Sequence, residues 1–198
     1  MPELIQEKNE RMKRLKLQMQ VSVDGMVGAQ VQRGPGLFNW DEEIRRYSIA
    51  NAANVDCILL GRKTATGFIP HWQSVAANPQ NADFEFGKLV TDIPKVVFSS
   101  TLQKSEWSNT SVANGEIADS VAQLKNQPGK DLLVYGGSSF VASLIEHNLV
   151  DEYHLLVNPV VLGNGLAIFA GLAESLRLTL VTNRAFSCGT VLLCYKPL

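Results

Sequence analysis

The sequence contains few cysteines and no excess of charge of either sign. Its three cysteines, Cys57, Cys188 and Cys194, form no CxxC pair, and this odd, scattered set favours buried free thiols in a reducing compartment over a disulfide or metal framework. The chain carries 18 Lys and Arg residues against 19 Asp and Glu residues. General binders of nucleic acids or membrane surfaces need an excess of cations, so neither partner is expected.

Two further absences narrow the class of protein. No apolar run is long enough to cross a membrane and no secretory signal precedes the first hydrophobic pattern, so a cytoplasmic protein is expected. The three histidines, His71, His147 and His154, do not fall at zinc-ligand spacing, and no metal site is predicted.

The chain has the size of one domain. Its 198 residues are 45% hydrophobic, and no linker rich in Pro, Gly or Ser divides them, which suits a single buried core. We expect one domain over residues 14–198, preceded by a polar extension over residues 1–13 that is flexible or forms a short helix. Either Met1 or Met12 could begin the native protein.

Short apolar runs alternate with helical patterns through the first two thirds of the chain. Leu15–Val21 alternates apolar and polar residues like a half-buried strand. Three continuous runs are typical of strands buried on both faces of a parallel sheet: Cys57–Leu60, Lys95–Phe98 and Leu132–Tyr135. Helices are expected from Asp41 to about Asn51, over Ile117–Lys125, and after Gly137, where Val141, Leu144, Ile145 and Leu149 share one face. Residues 26–39 and 71–92 read as loops.

The last third of the chain changes character. Longer strands are predicted over Tyr153–Val161, Leu176–Thr182 and Thr190–Tyr195. Alternating strands and helices followed by several strands predict a largely parallel α/β sheet with an antiparallel C-terminal edge.

Three of the predicted strands end in small, hydroxyl-bearing or cationic residues. Open parallel sheets bind ligands beyond the carboxyl ends of their strands, so these ends should gather at one edge. Glycine lets the backbone approach a pyrophosphate, a following helix N-terminus attracts anions, and arginine offers phosphate a planar fork of donors. The segments are Gly61-Arg62-Lys63-Thr64, Ser99-Ser100-Thr101 and Gly136-Gly137-Ser138-Ser139. Together they predict a bound dinucleotide.

Each segment alone also fits a plainer role. Gly136 and Gly137 could form only a tight turn with a serine cap, Arg62 and Lys63 a solvated first turn, and Ser99–Thr101 a simple turn. A bound anion explains the cations better, because positive charge at a helix N-terminus opposes the helix dipole at a cost of about 0.3–1 kcal/mol each. The first strand lacks the G-x-G-x-x-G fingerprint, so binding of the Rossmann type is not expected.

Four segments, in this order, resemble a known family. They are Val21–Gly28, Leu60–Thr64, Tyr135–Ser138, and Asn158–Gly165 followed by Phe169. Over residues 14–197 the chain resembles the C-terminal reductase domain of the bifunctional deaminase–reductase of riboflavin biosynthesis. It also resembles the standalone relatives of that domain and, more distantly, dihydrofolate reductase.

The resemblance implies a dihydrofolate-reductase-like fold with three layers, α/β/α, and a mostly parallel central sheet of about eight strands with an antiparallel C-terminal edge. It also implies NADPH as the cofactor and a homodimer. The residues implied for the 2′-phosphate and adenosine side are Gly61, Arg62, Lys63, Thr64, Ser99 and Ser100. Those implied for the pyrophosphate and nicotinamide side are Gly136, Gly137, Ser138 and Ser139.

By the same resemblance the activity is that of 5-amino-6-(5-phosphoribosylamino)uracil reductase, in which NADPH gives a hydride to the ribosyl C1 of a pyrimidine ribose phosphate or a related heterocycle. The segment from Ser22 to Gly25 would lie beside the nicotinamide and the substrate, and the loop Pro159–Gly165, with Gly163, would close the substrate side. Asp24 is the candidate catalytic residue that supplies or relays a proton. The alternative is that Asp24 only forms a turn with Gly25, because Asp-Gly commonly occurs in simple turns.

Two other substrate-binding candidates lie at the start of the first predicted helix. Asp41 would match the pterin-binding carboxylate of dihydrofolate reductases, or it caps the helix. Trp40, together with Trp72, could stack on a flat heterocycle or fill the core.

The chain departs from the bifunctional enzyme in two respects. It lacks the His-x-Glu and Cys-x-x-Cys elements of the zinc deaminase domain, and the stretches Gln30–Asn39 and His71–Phe86 are peculiar to a standalone branch. The substrate therefore stays open, with a dihydrofolate or pterin reductase and a non-catalytic NADPH-binding module as alternatives. A carboxylate near the nicotinamide would favour catalysis; an occluded or purely apolar pocket would favour binding alone.

Overall fold

The computed structural model describes residues 12–29 and 36–198. The predicted extension over residues 1–13 lies almost entirely outside these ranges, as do residues 30–35 of the first predicted loop. Within them the chain forms ten strands and five helices. The strands are β1 (Leu15–Ser22), β2 (Met26–Ala29), β3 (Val55–Gly61), β4 (Lys95–Phe98), β5 (Thr110–Ala113), β6 (Asp131–Val134), β7 (Glu152–Asn158), β8 (Gly165–Ala167), β9 (Leu178–Ala185) and β10 (Val191–Pro197). The helices are α1 (Glu42–Ala52), α2 (Arg62–Ala76), α3 (Phe84–Asp92), α4 (Ile117–Lys125) and α5 (Ser138–Glu146).

Eight of the strands form one sheet in the order β5-β4-β3-β6-β1-β7-β10-β9. All neighbours are parallel except β10, which runs antiparallel to both β7 and β9. Helices α4 and α5 cover one face, and α1, α2 and α3 cover the other. The predicted three-layer architecture with its antiparallel C-terminal edge is confirmed.

Strand β1 shows how the sequence assigns side chains to the two faces. Leu15, Leu17, Met19 and Val21 belong to the core beneath α4 and α5. Because successive side chains of a strand alternate, the intervening polar residues face α1, α2 and α3. The polar face of this central strand is therefore directed toward the helices that surround the candidate site.

The prediction of loop over residues 71–92 is wrong. The stretch contains the last turns of α2 and the whole of α3. Pro70, which interrupts the helical pattern, lies inside α2, where a proline costs about 3 kcal/mol. Burial of Ile69 and Val75 on α2, and of Phe86 and Val90 on α3, offsets that cost, since each fully buried apolar side chain contributes about 1.5–3 kcal/mol.

Three short strands were not predicted: β2, β5 and β8. Among the described residues, strands β2 and β8 pair only with each other, in a small separate sheet. Among the cysteines, Cys57 and Cys194 are buried free thiols, whereas Cys188 is half-buried in the turn between β9 and β10. Within the described ranges, no helix is long and apolar enough to cross a bilayer.

A charged cluster joins the amino ends of the three central strands. Asp131, at the start of β6, accepts hydrogen bonds from the Arg14 guanidinium (2.7 Å) and the Arg14 backbone N–H (3.0 Å), and lies 3.2 Å from the Lys16 ammonium. Arg14 also pairs with Glu152 of β7 at 2.9 Å. Burial alone would raise the pKa of Asp131, but the bonds from Arg14 and the charge of Lys16 lower it to about 2.

We predict that Asp131→Asn lowers the free energy of unfolding by about 3 kcal/mol, because it leaves the largely buried Lys16 without its counter-charge. Since the folded pKa lies below the ordinary value of 3.8, the carboxylate's contribution is complete above that value and disappears as the pH falls toward 2. Urea unfolding at neutral and acidic pH measures both effects. In the control Lys88→Ala, which breaks an exposed pair with Asp92, the change should not exceed about 0.5 kcal/mol. Equal losses in the two variants would contradict the prediction.

Candidate active site

The three polar segments at the strand ends line one cleft of about 370 Å³. They come together because β3, β4 and β6 are neighbouring parallel strands whose carboxyl ends meet at one edge of the sheet. Gly136 and Ser138, also predicted for this site, are not among the described lining residues. The residues that line the cleft are Gly61, Arg62, Lys63, Thr64, Phe98, Ser99, Ser100, Thr101, Gly137, Ser139 and Phe140.

Two helices begin at the cleft with free N-termini. Helix α2 follows Gly61 and α5 follows Gly137; neither has a side-chain cap or an acidic residue in its first turn within the described structure. The first N–H groups of a helix have no partner within it and carry the positive end of its dipole. Helix α1 is different, because Asp41 caps it. The cleft therefore collects backbone donors at two helix ends.

Close packing explains the glycines at both helix starts. A Cβ on Gly61 would lie 2.8 Å from the Phe140 Cβ, and one on Gly137 would lie 2.6 Å from Thr64 Oγ1. Gly137 also has a φ of +87°, which residues with side chains rarely adopt. Any larger residue would separate the two helix starts, so glycine is required for both to border one cleft.

The chemistry of the cleft is that of an anion site. Arg62 and Lys63 provide positive charge, and the segment that follows β4 provides hydroxyl groups. Ser99 Oγ accepts the backbone N–H groups of Thr101 (3.2 Å) and Leu102 (2.9 Å), so it forms the turn that the sequence also allowed, while its own proton stays available to donate. None of the described residues that line the cleft is acidic. This donor set fits a phosphate group.

A second cavity of about 230 Å³, which we call the aromatic pocket, has a separate lining, but two of its residues lie close in sequence to residues of the cleft. The chain passes from one to the other through Tyr135, Gly136 and Gly137 at the end of β6, and Phe68 lies one turn after Thr64 on α2. Trp40 and Trp72 line this pocket and also pack against the core on this face of the sheet, and the stacking of these rings on a flat ligand stays a prediction. Its described lining residues are Gln18, Met19, Gln20, Trp40, Phe68, Trp72, Phe86, Tyr135 and Leu156.

Sequence reasoning missed most of this pocket, because its lining comes from six separate parts of the chain. One signal was present: the alternation in β1 places Gln18 and Gln20 on the face opposite Leu17 and Met19. Two amides on the face that packs against helices indicate a polar feature inside the protein. Phe68, Phe86 and Tyr135 carried no comparable signal.

Asp24 lies in the exposed turn after β1 and binds a distant loop. Its carboxylate accepts hydrogen bonds from Ser22 Oγ (2.6 Å), Leu162 N (3.1 Å) and Gly163 N (2.7 Å). These bonds, the one from Ser22 first, lower the pKa of Asp24 to about 2. The group is therefore ionised at neutral pH and poorly suited to donate a proton. Ser22, Asp24 and Gly163 come together, but none is among the described residues that line the cleft or the aromatic pocket.

Asp41 has the contacts of a helix cap. Its carboxylate accepts the Ile44 backbone N–H at 2.9 Å, which lowers its pKa. It is not among the described lining of the aromatic pocket, although the adjacent Trp40 is. The indole N–H of Trp40 donates to Asp83 (3.0 Å), which also pairs with Arg45 (2.8 Å). No carboxylate is found among the described residues of that pocket.

A comparison with known protein families shows to which family the chain belongs. A family model described as the RibD C-terminal domain matches residues 13–192. The chain belongs to the RibD C-terminal domain family. The resemblance drawn from the four sequence segments is confirmed.

Individual proteins are also similar to this chain in sequence or in structure. The chain is 33% identical over 192 residues to the uncharacterized protein YyaP of Bacillus subtilis (strain 168), with 94% of this chain and 96% of that protein covered. A putative riboflavin biosynthesis protein from Shewanella sp. PV-4 has a similar structure, with a TM-score of 0.65, 18% identity, and 93% of this chain and 99% of that chain covered.

The deaminase/5-amino-6-(5-phosphoribosylamino)uracil reductase of Thermotoga maritima gives a TM-score of 0.67 at 14% identity. It covers 94% of this RibD-family chain, which spans 57% of the longer enzyme. At these identities the two solved structures establish the shared, dihydrofolate-reductase-like fold.

We predict that Asp24→Ala frees the loop at Leu162 and Gly163, because both backbone N–H groups lose their acceptor. Amide hydrogen exchange followed by NMR should speed up at these two positions. In the wild type the two amides should lose the same protection as the pH falls from 3.8, the ordinary pKa of an aspartate, toward 2. Above that range the lowered pKa of Asp24 keeps its carboxylate ionised. Asp119→Ala, on the exposed face of α4, is the control and should leave both amides unchanged. Unaltered exchange at Leu162 and Gly163 in Asp24→Ala would show that Asp24 does not hold this loop.

Proposed function

We propose that this protein is an NADPH-dependent reductase that binds its cofactor along the cleft and reduces a heterocyclic substrate held in the aromatic pocket. The observation that carries the proposal is the pair of free helix N-termini that border the same cleft as Arg62 and Lys63. Membership of a family of reductase-type domains supports the reaction class.

The two cations give the strongest indication of a phosphate. Arg62 and Lys63 are the first residues of α2, at the positive end of the helix dipole. Positive charge there is unfavourable by about 0.3–1 kcal/mol per residue unless an anion neutralises it. A 2′-phosphate on the adenosine would do so, and Arg62 can bind it with two parallel hydrogen bonds. Ser99 and Ser100 lie across the same cleft, where their hydroxyls would bind the remaining phosphate oxygens.

The start of α5 would hold the pyrophosphate. Gly137 brings the backbone close without a Cβ, and the free N–H groups that follow it suit an anion. Ser138 and Ser139 would add hydroxyl donors. NADPH held with its 2′-phosphate at Arg62 and its pyrophosphate at the start of α5 would extend toward Tyr135, and it would supply a hydride for reduction.

The protein's own contribution to the reduction is binding and orientation. We propose that Asp24 acts in this scheme as a positioning residue that holds the Leu162–Gly163 loop, rather than as the acid. Neither the cleft nor the aromatic pocket has a carboxyl or imidazole group among its described lining residues. The proton that accompanies the hydride would therefore come from water.

The two alternative functions are less well supported. A dihydrofolate or pterin reductase needs a carboxylate for its substrate, and Asp41 instead caps α1. A module that only binds NADPH would have no carboxylate near the nicotinamide, and none is found among the described lining of this pocket. It would also have an occluded or purely apolar pocket, whereas this one contains the amides of Gln18 and Gln20. Membership of the family favours catalysis. The reaction we propose resembles that of 5-amino-6-(5-phosphoribosylamino)uracil reductase, a hydride transfer to the ribosyl C1 of a pyrimidine ribose phosphate or a related heterocycle.

We predict that Arg62→Ala raises the dissociation constant for NADPH by about 10- to 100-fold, the effect of losing charge-assisted hydrogen bonds. NADH binding should change little, because NADH lacks the 2′-phosphate. Calorimetric titration of both cofactors measures the preference, with Lys88→Ala on the exposed face of α3 as a control that should retain it. Equal affinity of the wild type for NADPH and NADH would overturn the phosphate assignment.

We also propose a homodimer formed at β9. This strand ends the sheet, pairs within the described structure only with β10, and exposes Leu180 and Val181 to solvent by 47% and 51%. An unpaired apolar edge favours association with another strand.

We predict that light scattering gives the mass of a dimer for the wild type. Val181→Lys should give the mass of a monomer, because it places a charge on this edge, and the control Lys88→Ala should remain a dimer. A monomeric wild type would exclude this assembly.

A further inference from the structure

A short loop after β4 forms one wall of the cleft. It runs from Ser99 to Leu102, and we call it the hydroxyl loop because three of its four residues carry hydroxyl groups. Ser99, Ser100 and Thr101 line the cleft. Ser100 and Thr101 are exposed to solvent, so packing against the core does not fix them. The position of these hydroxyls therefore depends on the hydrogen bonds that hold the loop.

One set of these bonds comes from the adjacent strand and from within the loop. The Ser99 backbone N–H donates to the Ala113 carbonyl of β5 at 3.1 Å. Ser99 Oγ accepts the backbone N–H groups of Thr101 (3.2 Å) and Leu102 (2.9 Å). These contacts fix the first residue of the loop and fold the rest back toward it. None of them uses a carbonyl oxygen of the loop.

Asn114 binds the carbonyl oxygens at both ends of the hydroxyl loop. It is the first residue after β5, the strand that pairs with β4 at the edge of the sheet. Its Nδ2 donates to the Ser99 carbonyl at 2.8 Å and to the Leu102 carbonyl at 2.7 Å. A primary amide has two N–H groups, so both are used. A single side chain thereby closes the loop.

The two carbonyl oxygens would weaken an anion site if they faced it. A carbonyl oxygen carries a partial negative charge and only accepts hydrogen bonds, so it repels a phosphate oxygen at close range. Asn114 is not among the described residues that line the cleft. The carbonyls of Ser99 and Leu102 are therefore held toward a donor outside that lining, while hydroxyl-bearing residues line the cleft itself.

The Ser100 hydroxyl is the donor that this arrangement leaves most available. Within the described ranges it makes no hydrogen bond, whereas Ser99 Oγ already accepts two backbone N–H groups. It can donate to a phosphate oxygen without breaking an internal contact. Its contribution to affinity depends on where the loop holds it, because groups that are ordered before binding avoid the cost of being ordered by the ligand.

We propose that Asn114 is a positioning residue for the 2′-phosphate of NADPH. By binding both ends of the hydroxyl loop, it keeps two carbonyl oxygens away from the anion and holds the Ser100 hydroxyl at the cleft. It acts through the loop and not by contact with the cofactor. The inference rests on the proposed function, because it needs the phosphate that distinguishes NADPH from NADH, and it adds a residue outside the cleft to the determinants of that preference.

The test compares NADPH and NADH binding to the wild type and to Asn114→Ala by calorimetric titration. We expect the dissociation constant for NADPH to rise about three- to tenfold, the effect of ordering one or two side chains on binding. The constant for NADH should stay the same. Adenosine 2′,5′-bisphosphate and adenosine 5′-phosphate should show the same contrast, because only the first carries the 2′-phosphate. An unchanged preference in Asn114→Ala, or an equal loss for both cofactors, would overturn the proposal.

Asn109→Gly is the matched control. Asn109 precedes β5 and donates to the Asp92 carbonyl at 2.8 Å, so it binds a backbone carbonyl from the other end of the same strand. Its φ of +53° is one that glycine adopts readily. This variant should keep the full preference for NADPH. Both asparagines are exposed, so the two variants should have similar midpoints of urea unfolding. A lower midpoint in Asn114→Ala with an unchanged preference would show that Asn114 serves only the fold.

A double-mutant cycle shows whether Asn114 acts through the hydroxyl loop. Ser100→Ala alone should weaken NADPH binding about tenfold, because it removes a hydrogen bond to a charged group. In the Asn114→Ala background the same change should weaken binding only about threefold, since coupled residues have non-additive effects. Equal factors in the two backgrounds would contradict an action through the loop.

A measurement without cofactor tests the loop itself. Amide hydrogen exchange at Thr101 and Leu102 should be faster in Asn114→Ala than in the wild type, because Ser99 Oγ holds both N–H groups only while the loop is closed. Unchanged exchange at both amides would show that the loop does not need Asn114, and the proposal would be wrong.

These titrations distinguish failure of this inference from failure of the proposed function. If the wild type prefers NADPH and Asn114→Ala keeps that preference, the role of Asn114 is wrong and the cofactor assignment stands. If the wild type binds NADPH and NADH equally, the phosphate assignment is wrong and the inference fails with it.

Discussion

The packing of two helix starts against each other is the constraint on which the candidate site depends. Gly61 meets the Phe140 side chain and Gly137 meets the Thr64 side chain at distances that leave no room for a Cβ. Both helices follow neighbouring parallel strands, so their N-termini necessarily lie at one edge of the sheet. Only the glycines allow them to come close enough for their free N–H groups to border a single cleft. The cations and hydroxyls then add charge and donors to a geometry that the backbone already provides.

The two edges of the sheet have opposite electrostatic arrangements. At the amino ends of the central strands, Arg14 and Lys16 are balanced by Asp131 and Glu152, and the charges are satisfied within the protein. At the carboxyl ends, Arg62 and the neighbouring Lys63 have no acidic residue among the described lining of their cleft. Internal pairing stabilises a fold, whereas uncompensated positive charge at a helix N-terminus costs stability unless a ligand neutralises it. The first edge therefore serves folding, and the second suits binding of an anion.

Local patterns were sufficient for seven of the eight strands of the main sheet and for most of the cleft, because these depend on residues that are close in sequence. The run Lys95–Phe98 and the helix Ile117–Lys125 have in the structure the bounds that their patterns predict. The segment at Gly61 is recognisable because glycine, cations and a hydroxyl follow a buried strand directly. Helix α2 was missed beyond Pro70, since the burial that stabilises it comes from α3 and the sheet. The aromatic pocket was missed for the same reason: its walls exist only after distant elements pack.

Asp24 shows why the roles of residues are harder to predict than their positions. In the sequence it is a carboxylate near a strand end, which fits a proton donor as well as a turn. In the structure, Ser22 and the amides of Leu162 and Gly163 stabilise its charged form. Whether a carboxyl group acts as an acid depends on such contacts, the local one from Ser22 as well as the distant ones, because they determine its pKa. The same contacts allow Asp24 to hold the Leu162–Gly163 loop firmly, since hydrogen bonds to an ionised acceptor are stronger than those to a neutral one. The properties that disfavour Asp24 as an acid are therefore the ones that fix the loop between β7 and β8.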